Sequence, residues 1–266
     1  MNTITDTEFS QFQRFIFDTA GITLSPAKKA LVTGRLGKRL QAHGLASFGD
    51  YFRLISSDRA GAEAQNAVDL LTTNETYFFR EPKHFELLRR LAQEHQGRTQ
   101  PFRIWSAASS TGEECYSMAM VLADVLGEAA WEVTGSDISL RVLQRARAGH
   151  YPMERARNIP QAYLKRFCLK GQGEQEGTLL VERALRQRVS FAQVNLNTEL
   201  PRLGPFDVVF LRNVMIYFNG DTKRQVVARV LSLLKPGGYF CIGHSESLND
   251  ISTAVRQVAP SVYRKP

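Results

Sequence analysis

The segment Phe206–Phe218, FDVVFLRNVMIYF, sets the tightest limit on the fold. Val208, Val209, Phe210 and Leu211 are β-branched or bulky and unbroken by polar groups. A strand reads this way when helices cover both of its faces, because neither set of alternating side chains then meets water. The run ends abruptly in Arg212-Asn213, a polar pair at the carboxyl end of the strand, where open α/β sheets bind ligands. The segment alone fits a buried strand and an ordinary turn equally well.

The surrounding chain repeats the pattern. Phe102–Ser106 is a strand candidate followed by the small-residue turn Ala107–Gly112 and a helix from about Glu113 through Leu122. Trp131–Ser136 makes a second strand ending at Asp137, with a helix over Ser139–Ala148. Val189–Gln193 and Asp207–Leu211 supply the third and fourth strands. A helix over Thr222–Leu234, closed by Lys235-Pro-Gly-Gly238, leads to a strand at Tyr239–Ile242. Strands and helices alternating at this spacing predict an α/β, doubly wound, mostly parallel sheet. One insert, about 152–188, breaks the alternation with the turn-rich Lys170–Gly177 and a short strand at Thr178–Val181, and reads as a small antiparallel appendage. Residues 1–72 read instead as short amphipathic helices. Their stripes are Phe9, Phe12, Phe15 and Ile16; Leu31, Leu36 and Leu40; and Tyr51, Phe52, Leu54 and Ile55. The expected division is a helical domain over 1–72 and a sheet domain over 73–266.

At 266 residues and 43% hydrophobic, the chain can bury a sizeable core. It has no run approaching the roughly 18 apolar residues of a membrane span, and its first residues lack the pattern of a signal peptide. A cytoplasmic monomer without membrane insertion is expected. Cys115, Cys168 and Cys241 are far apart and form no CxxC pair, and the five histidines show no ligand spacing, so no metal or disulfide is expected. The net charge of +8 calls for an acidic partner. Between Thr19 and Gly49 there is no acid, yet Lys28, Lys29, Arg35, Lys38 and Arg39 fall there. Positions 28, 35 and 39 lie along one face of a helix starting at Ser25-Pro26. That face is either a solvated surface or a docking surface.

Four strand ends carry the candidate chemistry. The Ser106–Glu114 turn stands where a dinucleotide loop would, but it is poor in glycine and puts Glu113 and Glu114 where a pyrophosphate would need positive charge. Two carboxylates there suit a cofactor with an ammonium group and no phosphate, such as S-adenosylmethionine; they also suit a helix N-terminus as such. Asp137, about 25 residues past the turn, can accept ribose hydroxyls or cap the next helix. Asn195-Leu196 after the third strand can read an adenine edge, and Arg212-Asn213 completes one edge of the sheet. Ahead of the sheet, Thr73–Arg80 interleaves polar groups with Tyr77, Phe78 and Phe79, either folding over a ligand or packing its aromatics into the core.

Taken in order, TNETYFFREPKHF (73–85), IWSAASSTGEECYSMAM (104–120), GSDIS (135–139), VNL (194–196), FDVVFLRNVMIYF (206–218) and LLKPGGYFCIGHSES (233–247) resemble the chemotaxis receptor methyltransferases, the CheR family. Cys115 stands where that family commonly has proline. The resemblance implies a class I methyltransferase-like fold and S-adenosylmethionine-dependent methylation of glutamate side chains on the cytoplasmic domain of methyl-accepting chemoreceptors, with S-adenosylhomocysteine as product. It implies cofactor contacts at Asn74, Thr76, Arg80, Glu114, Asp137, Asn195, Leu196, Arg212 and Asn213, and places Arg80 and Tyr217 beside the transferred methyl. It also implies that the basic helix docks on the receptor's carboxylate-rich region, and that the GQGEQEG appendage can take a C-terminal receptor tail by strand addition.

A glutamate is ionised at neutral pH, with an ordinary pKa near ~4.3, so methyl transfer to it needs no general base. That agrees with the lack of any Cys/His or Ser/His pair. The alternative is a nucleic-acid methyltransferase of the same fold, which the basic charge would suit. Such enzymes usually carry an Asn/Asp-Pro-Pro-Tyr/Phe element where this chain has Arg212-Asn-Val-Met. A non-catalytic scaffold would not need both Arg80 and Tyr217, and Gly243-His-Ser-Glu-Ser247 lacks the second glycine of a nucleophile elbow.

Overall fold

The computed structural model describes residues 3–57 and 61–266. Four helices come first: α1 (Asp6–Ala20), α2 (Lys29–Ala42), α3 (Phe48–Ser57) and α4 (Ala62–Leu71). A capping box starts α1, where Thr5 accepts the Glu8 amide and the Glu8 carboxylate takes the Thr5 amide, and Gly21 ends it in the left-handed conformation. Phe9, Phe12 and Ile16 are buried on α1; α2 buries Val32, Leu36 and Leu40, so Val32 takes the place expected of Leu31.

After α5 (Lys83–His95) the chain alternates: β1 (Phe102–Ser106), α6 (Glu113–Leu126), β2 (Trp131–Asp137) and α7 (Leu140–Ala148). Ser139 caps α7 rather than joining it. The insert contributes β3 (His150–Pro152), α8 (Gln161–Phe167), β4 (Cys168–Lys170), β5 (Thr178–Val181) and the single turn α9 (Arg183–Arg186). Its strands form a separate antiparallel sheet in the order β3-β5-β4. The main path resumes with β6 (Val189–Gln193), β7 (Phe206–Leu211), α10 (Gly220–Ser232), β8 (Leu234–Ile242), β9 (Arg256–Ala259) and β10 (Val262–Arg264). The seven strands order as β6-β2-β1-β7-β8-β10-β9, parallel except where β10 pairs antiparallel with β8 and β9.

Two details correct the sequence expectation. Lys235-Pro-Gly-Gly238 lies inside β8, not in a turn before it, and the ladder with β7 is irregular there. The C-terminal strands β9 and β10 were not expected. All four residues of β9 are exposed, so no apolar period marks it.

Strand β7 has the two-sided burial its sequence demands. Val209 and Leu211 enter one core with Trp105, α10 and the N-terminal helices, while Val208 and Phe210 enter a second core with α5 and α6. The N-terminal helices therefore share a continuous core with one sheet face. The order of strands reverses between β1 and β7, and Ser106 stands level with Phe210 there. A crevice opens at such a switch point, at the carboxyl ends of the strands.

Candidate active site

That crevice is a cleft of about 850 Å³, including its open mouth. Asn74, Thr76, Arg80, Glu114, Asp137, Asn195, Leu196, Arg212, Asn213 and Tyr217 all line it. Residues from four strand ends, the linker and the N-terminal domain thus meet in one volume.

The turn after β1 forms one wall. Its amides turn inward: Ala107 donates to the Phe210 carbonyl (2.8 Å), Ser109 to the Ser136 carbonyl (2.8 Å) and Ser110 to Asp137 Oδ2 (2.9 Å). They are not presented as an anion cradle, which agrees with a phosphate-free ligand. Gly112 sits at φ +94°, and a Cβ there would lie 2.9 Å from the Ala146 side chain, so the turn into α6 requires glycine.

Asp137 is buried at the end of β2 and also accepts the Ser139 amide (3.0 Å). Burial pushes its carboxyl up to about 6 despite these two backbone donors, with Asp69 adding to the rise. A carboxylate has about four acceptor sites, so these donors do not exhaust it. Asn195 has its amide on the Thr19 carbonyl (2.7 Å), and its Oδ1 accepts the Asn197 amide (2.9 Å).

Arg212 forms the floor. Its side chain is 1% exposed and lies across Glu114 (2.7 Å) and Glu81 (3.0 Å), with a further bond to the Arg80 carbonyl. Glu114 also accepts the Ser106 hydroxyl (2.7 Å). Burial alone would raise the Glu81 carboxyl, but Arg212 and the His244 amide hold it below the ordinary range. Arg212 therefore ties α5, α6 and β7 together. Its cation is spent on protein groups.

Two carboxylates here escaped the sequence reading. Glu81 was quoted only within a longer motif, and its φ of +59° marks the bend where the linker turns toward α5. Glu246 takes the backbone amides of Gly243 (2.7 Å), Asn213 (2.9 Å) and Met215 (2.8 Å). It thereby holds from behind the loop that bears Asn213 and Tyr217. The signal was the carboxylate within Gly243–Ser247, three residues past a glycine that must stay small: a Cβ there would fall 2.5 Å from Asn213 Nδ2.

The N-terminal domain fixes the same loop from the other side. Thr23 donates its amide to the Tyr217 carbonyl (2.8 Å), and Ile22 bridges to Phe218. Tyr217 also lines a second groove with Lys28, Leu31 and Ile216, so it is common to both. Asp69 on α4 receives the Leu140 and Arg141 amides (both 3.1 Å) at the start of α7.

The five cations of the basic stretch meet different surroundings. Lys29 bonds Asp6 (2.7 Å), Arg35 bonds the Leu71 (3.3 Å) and Thr72 (3.0 Å) carbonyls, and Arg39 pairs with Glu63. The neutralising acids come from outside the acid-free stretch, which is why the sequence hid them. Lys28 and Lys38 remain exposed and without a partner among the described residues.

The cleft brings the carboxylates Glu114 and Asp137 together with the amide Asn195 and the apolar Leu196. A family model described as "CheR methyltransferase, SAM binding domain" matches residues 74–263, and one described as "CheR methyltransferase, all-alpha domain" matches residues 7–72. The chain is 41% identical over 263 residues to a chemotaxis protein methyltransferase of Escherichia coli (strain K12), covering 98% of this chain and 91% of that one. It is 43% identical over 259 residues to chemotaxis protein methyltransferase 2 of Pseudomonas aeruginosa, covering 96% and 92%.

Proposed function

The chain belongs to the CheR methyltransferase family, and from that premise we propose that it methylates glutamate side chains on the cytoplasmic domain of bacterial chemoreceptors. The observation that carries the reading is the single cleft in which Glu114, Asp137 and Asn195 meet Arg80 and Tyr217. S-adenosylmethionine supplies an electrophilic methyl on a sulfonium; an ionised glutamate oxygen forms the new bond as the carbon–sulfur bond breaks, and no proton moves.

The chain's own residues supply binding and alignment. Asp137 accepts the diol, Glu114 faces the amino group, and Asn195 with Leu196 borders the base. Arg80 is only partly buried; its guanidinium donates to the Glu75 carbonyl (3.1 Å) and lies over the Tyr77 ring (5.6 Å). It is free to swing toward a substrate carboxylate. Tyr217, common to cleft and groove, aligns the reacting groups where they meet. Residues 1–72 dock the substrate, and Lys28 on the groove rim offers charge to an acidic helix. The enzyme works as a cytoplasmic monomer, and among the described residues no helix is long and apolar enough to cross a membrane. The β3-β5-β4 sheet keeps free edges that can add a receptor tail as a further strand.

The test is transfer of tritiated methyl from S-adenosylmethionine to membranes carrying candidate receptors, with base-labile release as methanol. Label that resists base, or that appears in added RNA, would overturn the reading.

A further inference from the structure

Beside the cleft, the first turn of α5 meets the loop after β8 in a cluster the methyl-transfer chemistry does not use. His84, buried on α5, has Nε2 2.8 Å from the Ser261 hydroxyl. Ser261 Oγ also lies 2.7 Å from the Pro260 carbonyl, so its hydroxyl can donate there while accepting from His84. A neutral ring that donates from Nε2 leaves Nδ1 as a bare lone pair.

Nδ1 has no hydrogen-bond partner and points at Glu81 Oε2, 3.5 Å away. Two acceptors thus face each other across a gap, with His244 Nε2 3.8 Å from the same oxygen. Acceptors so placed call for a cation between them.

We propose that Glu81, His84 and His244 form a binding site for a borderline divalent metal ion of the Zn²⁺ or Co²⁺ type. The three ligand atoms lie within 4.8 Å of one another, the one such group among the described residues. Metal–ligand bonds of about 2.0–2.1 Å at tetrahedral angles separate neighbouring ligand atoms by about 3.4 Å. The Glu81–His84 pair already has that spacing, and the Glu81–His244 pair is close to it. His244 is 50% exposed, so its ring can move inward and the ion has a route from solvent. Two imidazoles and one carboxylate favour such ions over Mg²⁺, which prefers oxygen ligands. Arg212 does not forbid the ion. It is shared between Glu81 and Glu114, so the three groups together carry one net negative charge. Sequence spacing could not reveal the site, since His244 arrives from the far end of the chain.

The test is Co²⁺ titration of the metal-free full chain by visible absorption, followed by Zn²⁺ competition and thermal melting. The expected result is one equivalent of Co²⁺ with the d–d bands of a low-coordinate site and no thiolate band, displaced by Zn²⁺. Zn²⁺ should raise the melting temperature, and millimolar Mg²⁺ should do neither. His244→Ala and the bulk-preserving His244→Gln should each weaken binding roughly tenfold or more. No bands at millimolar Co²⁺, a thiolate band, or affinity unchanged by both His244 variants would overturn the proposal. None of these readouts depends on methyl transfer, so the site stands or falls apart from the proposed reaction.

Discussion

Replacing Glu246 by glutamine asks whether the Asn213–Tyr217 loop is held from behind by one carboxylate. Oε2 accepts from Asn213 N and Gly243 N, and Oε1 from Met215 N. Glutamine keeps the size but only one acceptor oxygen. Whichever way its amide turns, an NH₂ group must face at least one backbone N–H. The loss is one charge-assisted bond, about 1.5–3 kcal/mol, plus an unpaired buried amide, about 1–3 kcal/mol. The loop cannot relax toward Gly243, where even a methyl would strike Asn213. A combined cost of about 3–5 kcal/mol lowers the melting temperature by roughly 6–15 °C in a chain of this size. Part of it appears as displacement of Tyr217, and a shift of about 1 Å at a reacting group costs on the order of 100-fold in rate. Methyl-transfer kinetics well below the melting point should therefore show kcat down about 100-fold. The cofactor Kd, measured separately by calorimetry, should change far less, because Asp137 and Asn195 come from strand ends across the switch point. Glu246→Gln with wild-type kcat and a melting temperature within about 2 °C would refute the reasoning.

Arg212→Ala leaves Glu81 and Glu114 without their shared counter-charge; breaking a buried pair costs about 3–5 kcal/mol, and calorimetry should show a clearly lowered melting transition. Because Asp137 titrates near about 6 and only its ionised form accepts both diol hydroxyls, cofactor affinity should be flat at neutral pH and fall as pH drops through 6. Binding near that pH should release protons, and calorimetry in buffers of different ionisation heat checks the sign. Lys28→Glu with Lys38→Glu should raise KM for receptor in a salt-sensitive way. Lys29→Glu, whose partner Asp6 is fully exposed, should leave the melting temperature nearly unchanged.

The strand ends were legible because a two-face-buried strand leaves an unbroken apolar run, and the first polar residues after it mark the sheet edge. Arg212 was found that way, and Asp137 and Asn195 from their places just after the other predicted strands. Glu246 was not, because a carboxylate that binds only backbone amides has no side-chain partner to leave a pattern, and Glu81 was not, because its partner Arg212 lies 131 residues away. Ala20, Ile22 and Asp69 were missed for another reason: they reach the cleft and α7 through docking of the N-terminal helices on the sheet, and docking has no local periodicity. The polar pair that ended the apolar run also changes meaning in three dimensions. Arg212 lines the cleft, yet its Nε, Nη1 and Nη2 are all bonded to Glu81, Glu114 and the Arg80 carbonyl. A residue so committed organises a site without turning toward what enters it. Arg80 has its carbonyl pinned by that same guanidinium while its own side chain makes one bond to a carbonyl. Of the two arginines on the cleft wall, the buried one holds the backbone from which the less buried one projects.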